Sequence, residues 1–461
     1  MSKLGIDPAI ITIFGITGDL AKRKLLPALY DLVAEDMLPE RTTIVGLSRH
    51  DTTTDDVMRT LASSMDAHDT PRDESVVQKL ASMLQIVHMD IGNADEYATL
   101  KEHLDTIEEQ ANTCLARIFY LAVPSSMFEL IATNLGLHGL NDGCQHASGD
   151  SRLLIEKPFG HDIDSARQLI TNLQKSFTEA QIYRIDHYLA KETVQNILTF
   201  RFKNSLFAGA WNADHIDRIE VSARESLDIE GRANFYESVG AYRDIIQSHL
   251  LQLVALVTMD QPDEMNAEEI HKKKTALLLQ VRSPKPEAMP AQTVRAQYDG
   301  YKDEVNNQDS TTETFAQATL HIDSERWNGV PILVTTGKAL SKKMTDIRII
   351  YKSDSDANET VLGLQIQPDE EILLDLDIKK PGYESETEAV RVNFNYKESG
   401  KNLSIDAYER VLIDALRADK TLFATSEEVL ACWEISQPIL DAWRANSVPL
   451  KTYQKGAAGI A

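Results

Sequence analysis

Short apolar runs alternate with helical stretches over the first third of the chain, and this alternation constrains the fold more than any other feature. The strand-like runs are Ala9–Phe14, Thr42–Leu47, Leu84–Met89, Arg117–Ala122 and Arg152–Ile155. The helical stretches between and after them are Asp19–Glu35, about Ala94–Gln110, a stretch from about Ser126, and Asp162–Ser176. Strands that alternate with helices in this way form parallel sheets. We therefore predict a doubly wound α/β domain over residues 1–180.

The pattern changes after about Ile182. One helix is predicted at Leu189–Leu198, and two more at Ile405–Arg417 and Ser426–Ala445. Between them lie strand-like runs without intervening helices, at Ile216–Ser222, Ala316–Ile322, Ile332–Thr335, Asp346–Tyr351, Thr360–Ile366 and Ile372–Lys379. Strands that follow one another directly favour antiparallel pairing. Residues 181–461 are therefore predicted to form an α+β domain, a large mainly antiparallel sheet with helices on it.

The charge balance narrows the ligands that the chain can bind. Among 461 residues, 47 are Lys or Arg and 71 are Asp or Glu, a formal net charge of −24. Such a surface does not suit nucleic acid. A phosphorylated ligand needs locally grouped basic residues.

Cysteine usage and hydropathy bear on location. The three cysteines show no metal-ligand spacing and fit a reducing cytosol. No apolar run reaches the roughly 18 residues of a membrane span. We expect a cytoplasmic protein without a metal or a membrane.

A glycine turn follows the first strand. The sequence there is Gly15-Ile16-Thr17-Gly18-Asp19-Leu20-Ala21. Glycines where a strand turns into a helix allow close approach to a pyrophosphate, and the helix N-terminus offers free N–H groups. We interpret the turn as the dinucleotide site of a Rossmann-type domain, with an ordinary strand–turn–helix as the alternative. The candidate contacts are Gly15, Thr17, Gly18, Asp19 and Leu20.

Further cofactor contacts are expected at the ends of the later strands. Arg49 ends the second strand where an NAD site usually carries an acid, and an arginine there pairs with a 2′-phosphate. We therefore predict NADP over NAD, although Asp51 lies close by and Arg49 alone is equally compatible with a surface arginine. Ala122, Pro124 and Lys157 follow other strands and reach the same carboxyl edge, where ligands of doubly wound sheets bind.

The segment IYRIDHYLAKE, residues 182–192, concentrates basic residues in an acidic chain. If a helix begins near Asp186, His187 and Lys191 lie one turn apart. With the hydroxyl of Tyr188 they form a donor cluster suited to a phosphate dianion. The alternative is an ordinary helix start capped by Asp186.

These motifs carry a resemblance to a known family. RIDHYLAKE resembles the signature of glucose-6-phosphate dehydrogenases, with Ala190 in place of a glycine. GITGDLAKRKLLPALY, EKPFG, EGR, RDIIQSHLLQ, GKAL and DAYERVLIDAL are similar to further segments of that family and keep its order. The resemblance covers essentially the whole chain.

The resemblance implies roles for individual residues. His249 corresponds to the general base, with Asp186 orienting the imidazole; helical periodicity alone would place His249 in the core. His187, Tyr188 and Lys191 correspond to phosphate contacts. The remaining substrate contacts implied are Lys157, Glu225, Asp244, Lys338, Lys343 and Gln367. The family further implies glucose 6-phosphate as substrate, NADP as cofactor, and a homodimer or homotetramer built on the large sheet.

Two rival interpretations remain open. A sugar oxidoreductase of the glucose–fructose oxidoreductase type would keep the nucleotide turn and Lys157 but not RIDHYLAKE. A catalytically silent sensor would be expected to lack His249, Asp186 or Lys157, and all three are present.

Some members of the family that the chain resembles carry a second, structural NADP site. That site is predicted to be absent here, because Thr335 and Met344 stand where those members carry charges.

Overall fold

The computed structural model describes residues 5–67, 70–143, 151–353, 358–395 and 405–460. The chain divides into two compact units. The first consists of Met1–Gly160, Asp164–Ala190 and Ile405–Ser426. The second consists of His161–Ile163, Lys191–Ser404 and Glu427–Ala461. The boundary near residue 180 stays a prediction.

The described ranges contain seventeen strands, numbered here in chain order. They are β1 (Ala9–Phe14), β2 (Thr43–Ser48), β3 (Leu84–His88), β4 (Ala116–Leu121), β5 (Ser151–Ile155), β6 (Ile182–Ile185), β7 (Ile216–Arg224), β8 (Val281–Arg282), β9 (Thr293–Tyr298), β10 (Phe315–Ile322), β11 (Ile332–Gly337), β12 (Met344–Tyr351), β13 (Val361–Gln367), β14 (Glu371–Lys379), β15 (Thr387–Asn395), β16 (Phe423–Ala424) and β17 (Leu450–Tyr453).

Fifteen α-helices within the part of the chain that the structure describes are numbered in the same way. They are α1 (Leu26–Ala34), α2 (Thr54–Asp66), α3 (Glu74–Met83), α4 (Glu96–Ala111), α5 (Phe128–Leu137), α6 (Ile163–Leu173), α7 (Glu192–Lys203), α8 (Ser205–Ala208), α9 (Ala233–Ala241), α10 (Leu251–Thr258), α11 (Ala267–Leu278), α12 (Met289–Gln292), α13 (Tyr301–Glu304), α14 (Ala407–Leu416) and α15 (Ser426–Arg444). Two π-helical segments, Ala21–Leu25 and Tyr242–Leu250, continue directly into α1 and α10.

The first unit is built on a seven-stranded sheet in the order β16-β6-β5-β4-β1-β2-β3. All of its strand pairs are parallel except β16 with β6. Because β1 pairs with β2 on one side and with β4 on the other, the strand order reverses at β1. In doubly wound sheets the nucleotide binds at this reversal, outside the carboxyl ends of the strands. The predicted Rossmann-type sheet is confirmed.

The second unit is built on a large sheet in the order β15-β14-β13-β12-β7-β11-β10-β9-β17, with β8 paired to β10. Its described strand pairs are antiparallel except β7 with β11 and β9 with β17. The predicted mainly antiparallel sheet is therefore confirmed. β15 was not predicted, since its alternating polar residues and largely exposed pattern lack a strong apolar signal.

One local prediction is wrong. Residues 187–190 form turns, and α7 begins only at Glu192, so His187 and Lys191 are not one helical turn apart. The helix predicted over Asp19–Glu35 is confirmed, since residues 19–34 are helical, but its start has a π-helical register and Pro27 lies at the start of α1. Proline cannot donate the hydrogen bond that a continuous α-helix needs at that position, which favours an altered register before it.

Two cysteines of the described residues differ in state. Cys114 is disulfide-bonded, which neither the scarcity of cysteines nor their spacing predicts. Cys432 on α15 is buried and forms no disulfide.

Candidate active site

The glycine turn after β1 is fixed against the end of β4. The backbone N–H of Ala122 donates to the carbonyl of Phe14 at 3.0 Å, which holds the two strand ends together. Gly15 has a φ of +85°, and a Cβ at this position would lie 2.7 Å from the carbonyl oxygen of Ala122. Both the left-handed backbone and the lack of space require glycine here.

The rest of the turn leads into a helix start. The N–H of Gly18 donates to the carbonyl of Gly15 at 2.8 Å, and the helix follows from Asp19, with its π-helical register at Ala21–Leu25. Thr17 and Leu20 are partly buried, whereas Asp19 is exposed and lies 3.5 Å from Arg23. A helix that starts at the reversal point of a parallel sheet, behind a side-chain-free glycine, fits a dinucleotide pyrophosphate.

Arg49 and Pro124 lie at the same carboxyl edge as the glycine turn. Arg49 follows β2, is exposed, and donates from its Nε to Nε2 of His50 at 3.2 Å. Pro124 is also exposed, two residues after Ala122 at the end of β4. The positions are those expected for contacts to a nucleotide at this edge.

Lys157 follows β5, and its neighbour Glu156 is a residue that the sequence reasoning missed. The hydroxyl of Tyr120 donates to Oε1 of Glu156 at 2.6 Å. Removal from water raises the pKa of Glu156 to about 7, and the negative charge of Asp186 acts in the same direction. The sequence EKPFG shows an acid next to the motif lysine. Only the fold shows that this acid is removed from water and contacts Tyr120.

Asp186, His187 and Tyr188 lie in the turn region after β6. The buried carboxylate of Asp186 accepts the backbone N–H of Tyr188 at 2.9 Å. The rings of His187 and Tyr188 are adjacent, with their centroids 5.1 Å apart. Because Asp186 orients the turn, the two aromatic side chains are held at defined positions without a helix.

In the second unit, Lys191 and Gln367 are brought together although 176 residues separate them. Nζ of Lys191 donates to Oε1 of Gln367 at 2.8 Å, and Nε2 of Gln367 donates to Oγ1 of Thr345 at 2.8 Å. Thr345 was not predicted. Lys343 lies just before β12, with an exposed side chain.

Asp244 and His249 lie on the π-helical segment Tyr242–Leu250. In an α-helix, residues five apart would differ by about 140° in direction. In a π-helix each N–H bonds to the carbonyl five residues earlier, so residues five apart are neighbours on one face. The N–H of Leu251 still bonds to the carbonyl of Ile246, which shows that this register extends past His249. The altered register therefore places Asp244 and His249 on the same side of the helix.

Lys338 and Glu225 form an ion pair, and Tyr236 lies next to it. Lys338 follows β11 and Glu225 follows β7; the two strands are parallel, so their carboxyl ends are adjacent. Nζ of Lys338 lies 5.4 Å from the ring centroid of Tyr236. Burial raises the pKa of Tyr236 well above its usual value, and the negative charge of Asp244 adds to this effect. The ammonium of Lys338 thus lies over the ring of Tyr236, and the charges of Asp244 and Glu225 act on the Tyr236 hydroxyl.

Neither a metal cluster nor a membrane helix is found in the described part of the chain. Within the ranges given above, no group of three or more His, Cys, Asp and Glu side chains could hold a metal ion. Over the same ranges, no helix has the length and apolar character that a bilayer crossing requires.

Comparison with known proteins gives matches along the whole chain. Residues 12–196 match the family model of the glucose-6-phosphate dehydrogenase NAD binding domain, and residues 198–461 match that of the C-terminal domain. A glucose-6-phosphate 1-dehydrogenase of Chlamydia muridarum is 37% identical, with 95% of this chain and 90% of the relative covered. Glucose-6-phosphate 1-dehydrogenase 2 of Mycobacterium bovis is also 37% identical, with coverages of 98% and 91%.

A solved structure agrees with these matches. It is a glucose-6-phosphate dehydrogenase in complex with its substrate glucose-6-phosphate, 32% identical to this chain, with a TM-score of 0.91. The alignment covers 99% of this chain and 96% of the solved one.

The doubly wound sheet, its glycine turn and the matched nucleotide-binding domain define the class of the protein. It is an oxidoreductase that uses a pyridine nucleotide. Within that class, the chain belongs to the glucose-6-phosphate dehydrogenase family, since both family models match and the relatives are similar over nearly their full length.

Proposed function

We propose that this chain oxidises D-glucose 6-phosphate to 6-phospho-D-gluconolactone with NADP⁺, the first oxidative step of the pentose phosphate pathway. The observation that carries the proposal is the π-helical register that makes His249 and Asp244 neighbours on one helix face. Oxidation of an anomeric alcohol needs a base for the hydroxyl proton and an acceptor for the hydride; an imidazole can be that base, and a carboxylate on the same side of the helix can accept a hydrogen bond from a sugar hydroxyl. Family membership supplies the substrate.

In the proposed reaction, His249 takes the proton of the C1 hydroxyl while the C1–H bond breaks. The imidazole must be neutral beforehand and is a cation afterwards. A nicotinamide cofactor held at the glycine turn of the first unit would supply the hydride acceptor for C1. Asp186 is assigned to orienting the imidazole and stabilising its cation, as an acid does in a catalytic triad.

The remaining assignments position the two ends of the substrate. Lys157, Glu225 and Asp244 are proposed to bind sugar hydroxyls, because charged groups that bond to hydroxyls discriminate strongly against sugars that lack them. His187, Tyr188 and Lys191 are proposed to hold the phosphate, and Lys343 and Gln367 are proposed as further substrate contacts. Lys338, paired with Glu225, is proposed to contact the substrate from the large sheet.

The residues proposed to hold the cofactor come from four strand ends of the first unit. They are Gly15, Thr17, Gly18, Asp19, Leu20, Arg49, Ala122, Pro124 and Lys157. NADP is preferred over NAD in this proposal because Arg49 follows β2, where the 2′-phosphate of NADP would lie.

The function is tested by mixing the protein with glucose 6-phosphate and each nicotinamide cofactor and following the absorbance of the reduced form. We expect turnover with NADP⁺, a lower kcat/KM with NAD⁺, and a much lower one with unphosphorylated glucose. Absence of turnover with glucose 6-phosphate under both cofactors would reject the proposal.

Arg49→Ala is expected to shift the cofactor preference. Loss of a charge-assisted contact to the 2′-phosphate should raise the KM for NADP⁺ by about tenfold or more and change that for NAD⁺ little. The measurement is the ratio of kcat/KM for the two cofactors. Arg59→Ala, which removes an exposed arginine paired with Asp56 on α2, is the control and should leave the ratio unchanged. An unaltered ratio in Arg49→Ala would mean that another group binds the 2′-phosphate.

We also propose that copies of the chain associate through the β14–β15 end of the large sheet, as a homodimer or a homotetramer. On β15, Val392 and Phe394 are 58% and 50% exposed and point to the same face. Exposed apolar side chains on the outermost described strand of a sheet are a typical association surface.

Val392→Glu is expected to dissociate the assembly, because a charge would have to be buried in the contact. Sedimentation of the unaltered chain should give the mass of two or four copies, and that of the variant a lower mass. Thr387→Glu, at the exposed start of β15, is the control. A monomeric unaltered chain would contradict the proposal.

The cytoplasmic location stays a prediction.

A further inference from the structure

We propose that Glu313 is a positioning residue that holds the start of the π-helical segment and thereby sets the direction in which Asp244 and His249 point. Glu313 precedes β10 and is 6% exposed. The inference rests on the proposed function, because it concerns the placement of the proposed base.

Glu313 binds both backbone N–H groups at the start of the segment. The N–H of Ala241 donates to the carbonyl of Glu313 at 3.0 Å, and the N–H of Tyr242 donates to its Oε1 at 2.9 Å. The first N–H groups of a helix have no partner within the helix and need an outside acceptor. Glu313, which lies just before β10, therefore supplies acceptors to two successive N–H groups at the start of the π-helical segment.

The chain direction is reset next to the Glu313 carboxylate. Gly240 has φ 73° and ψ 169°, which separates α9 from the π-helical segment. A Cβ on residue 240 would lie 2.5 Å from Oε1 of Glu313. The carboxylate thus fills the space that any other residue at position 240 would need, and the glycine and the acid fit each other.

The same stretch of chain fixes Lys338. The carbonyl of Thr314 accepts the N–H of Lys338 at 2.9 Å, and the hydroxyl of Tyr453 donates to the carbonyl of Lys338 at 2.7 Å. The hydroxyls of Thr314 and Tyr453 lie 2.9 Å apart. Residues 313 and 314 therefore connect the start of the His249 segment to the lysine that pairs with Glu225.

The charge of Glu313 suits this position. Burial raises the pKa of its carboxyl group, whereas the bond from Tyr242 and the positive charges of Arg243 and Arg295 act in the opposite direction. A carboxylate at a helix N-terminus also interacts favourably with the helix dipole. An alanine would leave the buried N–H of Tyr242 without this acceptor, which favours a change of register at the helix start.

The test compares Glu313→Ala with Glu313→Gln, because glutamine keeps an acceptor oxygen and loses only the charge. In Glu313→Ala we expect kcat for glucose 6-phosphate to fall about 100-fold, as a misplaced catalytic group does, with KM changed less than about threefold. In Glu313→Gln kcat should stay within about tenfold of the unaltered protein. If the alanine variant does not fold, Glu313→Asp replaces it; it withdraws the carboxylate by one methylene and should lower kcat more than about tenfold.

Glu428→Gln is the matched control for loss of a buried acid in the same unit. It weakens the contacts of Glu428 with Lys274 and His271, 3.0 and 2.8 Å away, and should lower Tm while leaving kcat nearly unchanged below Tm. The proposal would be overturned if Glu313→Ala kept kcat within threefold of normal, or if the alanine and glutamine variants lost kcat equally. A rise in KM without a change in kcat would also overturn it. If the unaltered protein were inactive, the proposed function would be rejected instead. If the His249→Asn variant were active, the assignment of His249 as the base would be rejected.

Discussion

His249→Asn is expected to reduce kcat for glucose 6-phosphate by about 10³-fold, with KM changed by less than about threefold. Asparagine keeps a polar side chain of similar reach but cannot take up a proton, and general base catalysis contributes about 10²- to 10⁴-fold. The residue is 1% exposed and lies on the face that it shares with Asp244, so its loss should affect proton removal more than substrate binding.

The measurement is steady-state kinetics with saturating cofactor, together with Tm to show that the variant is folded. His271→Asn is the matched control, since His271 is also a buried histidine of the second unit and lies 2.8 Å from Glu428. It should lower Tm and leave kcat nearly unchanged. A large rise in KM with normal kcat in His249→Asn would assign the residue to binding and contradict its role as a base.

The sequence predicts the first sheet well because its signals are local. β1 spans the predicted residues Ala9–Phe14, and β4 and β5 each begin one residue earlier than predicted. Buried parallel strands are continuous apolar runs, which periodicity detects without knowledge of their partners. The order of the strands then follows from the few topologies that such units allow, and the glycine turn falls at the reversal point.

The arrangement of the candidate site depends on distant contacts and could not be predicted in the same way. The π-helical register of Tyr242–Leu250 looks like an ordinary helix in the sequence, because the groups that begin it belong to Glu313. Glu313 itself is one acid among 71 acidic residues, and nothing near it marks a role. Thr345 and Tyr236 were missed for the same reason.

The segment 405–426 illustrates a further limit. Its helix α14 was predicted, but its membership of the first unit was not. The guanidinium of Arg152 on β5 donates to the carbonyls of Ala415 and Leu416 at 2.6 and 2.9 Å, which satisfies the end of the helix. An arginine in a strand gives no indication that its partner lies more than 260 residues away.

The turn at residues 187–190 differs from the predicted helix for a physical reason. Asp186 accepts the N–H of Tyr188, and such a local bond competes with helix formation. The helix starts only at Glu192, after Lys191 in extended conformation.

Lys191→Ala is expected to raise the KM for glucose 6-phosphate by about 10- to 100-fold, while kcat changes less than about threefold. A hydrogen bond to a charged group contributes about 1.5–3 kcal/mol, and a phosphate dianion is such a group. The side chain of Lys191 is already positioned before the phosphate binds, because its Nζ donates to Gln367, which in turn donates to Thr345. The ammonium therefore loses little freedom on binding, so that most of the interaction free energy should appear as affinity.

The measurement is kcat/KM for glucose 6-phosphate and for unphosphorylated glucose, in Lys191→Ala and in the control Lys203→Ala. Lys203 is an exposed lysine in the last turn of the same helix, so its removal changes the net charge equally without touching the Lys191–Gln367 contact. We expect only Lys191→Ala to lose kcat/KM, and only for the phosphorylated sugar. Equal losses for both sugars would show that Lys191 supports the fold or the sugar ring, and a loss in both variants would show that net charge steers the substrate. In either case the phosphate would have to be held by other groups, because a contact to the phosphate can be lost only by a substrate that carries one.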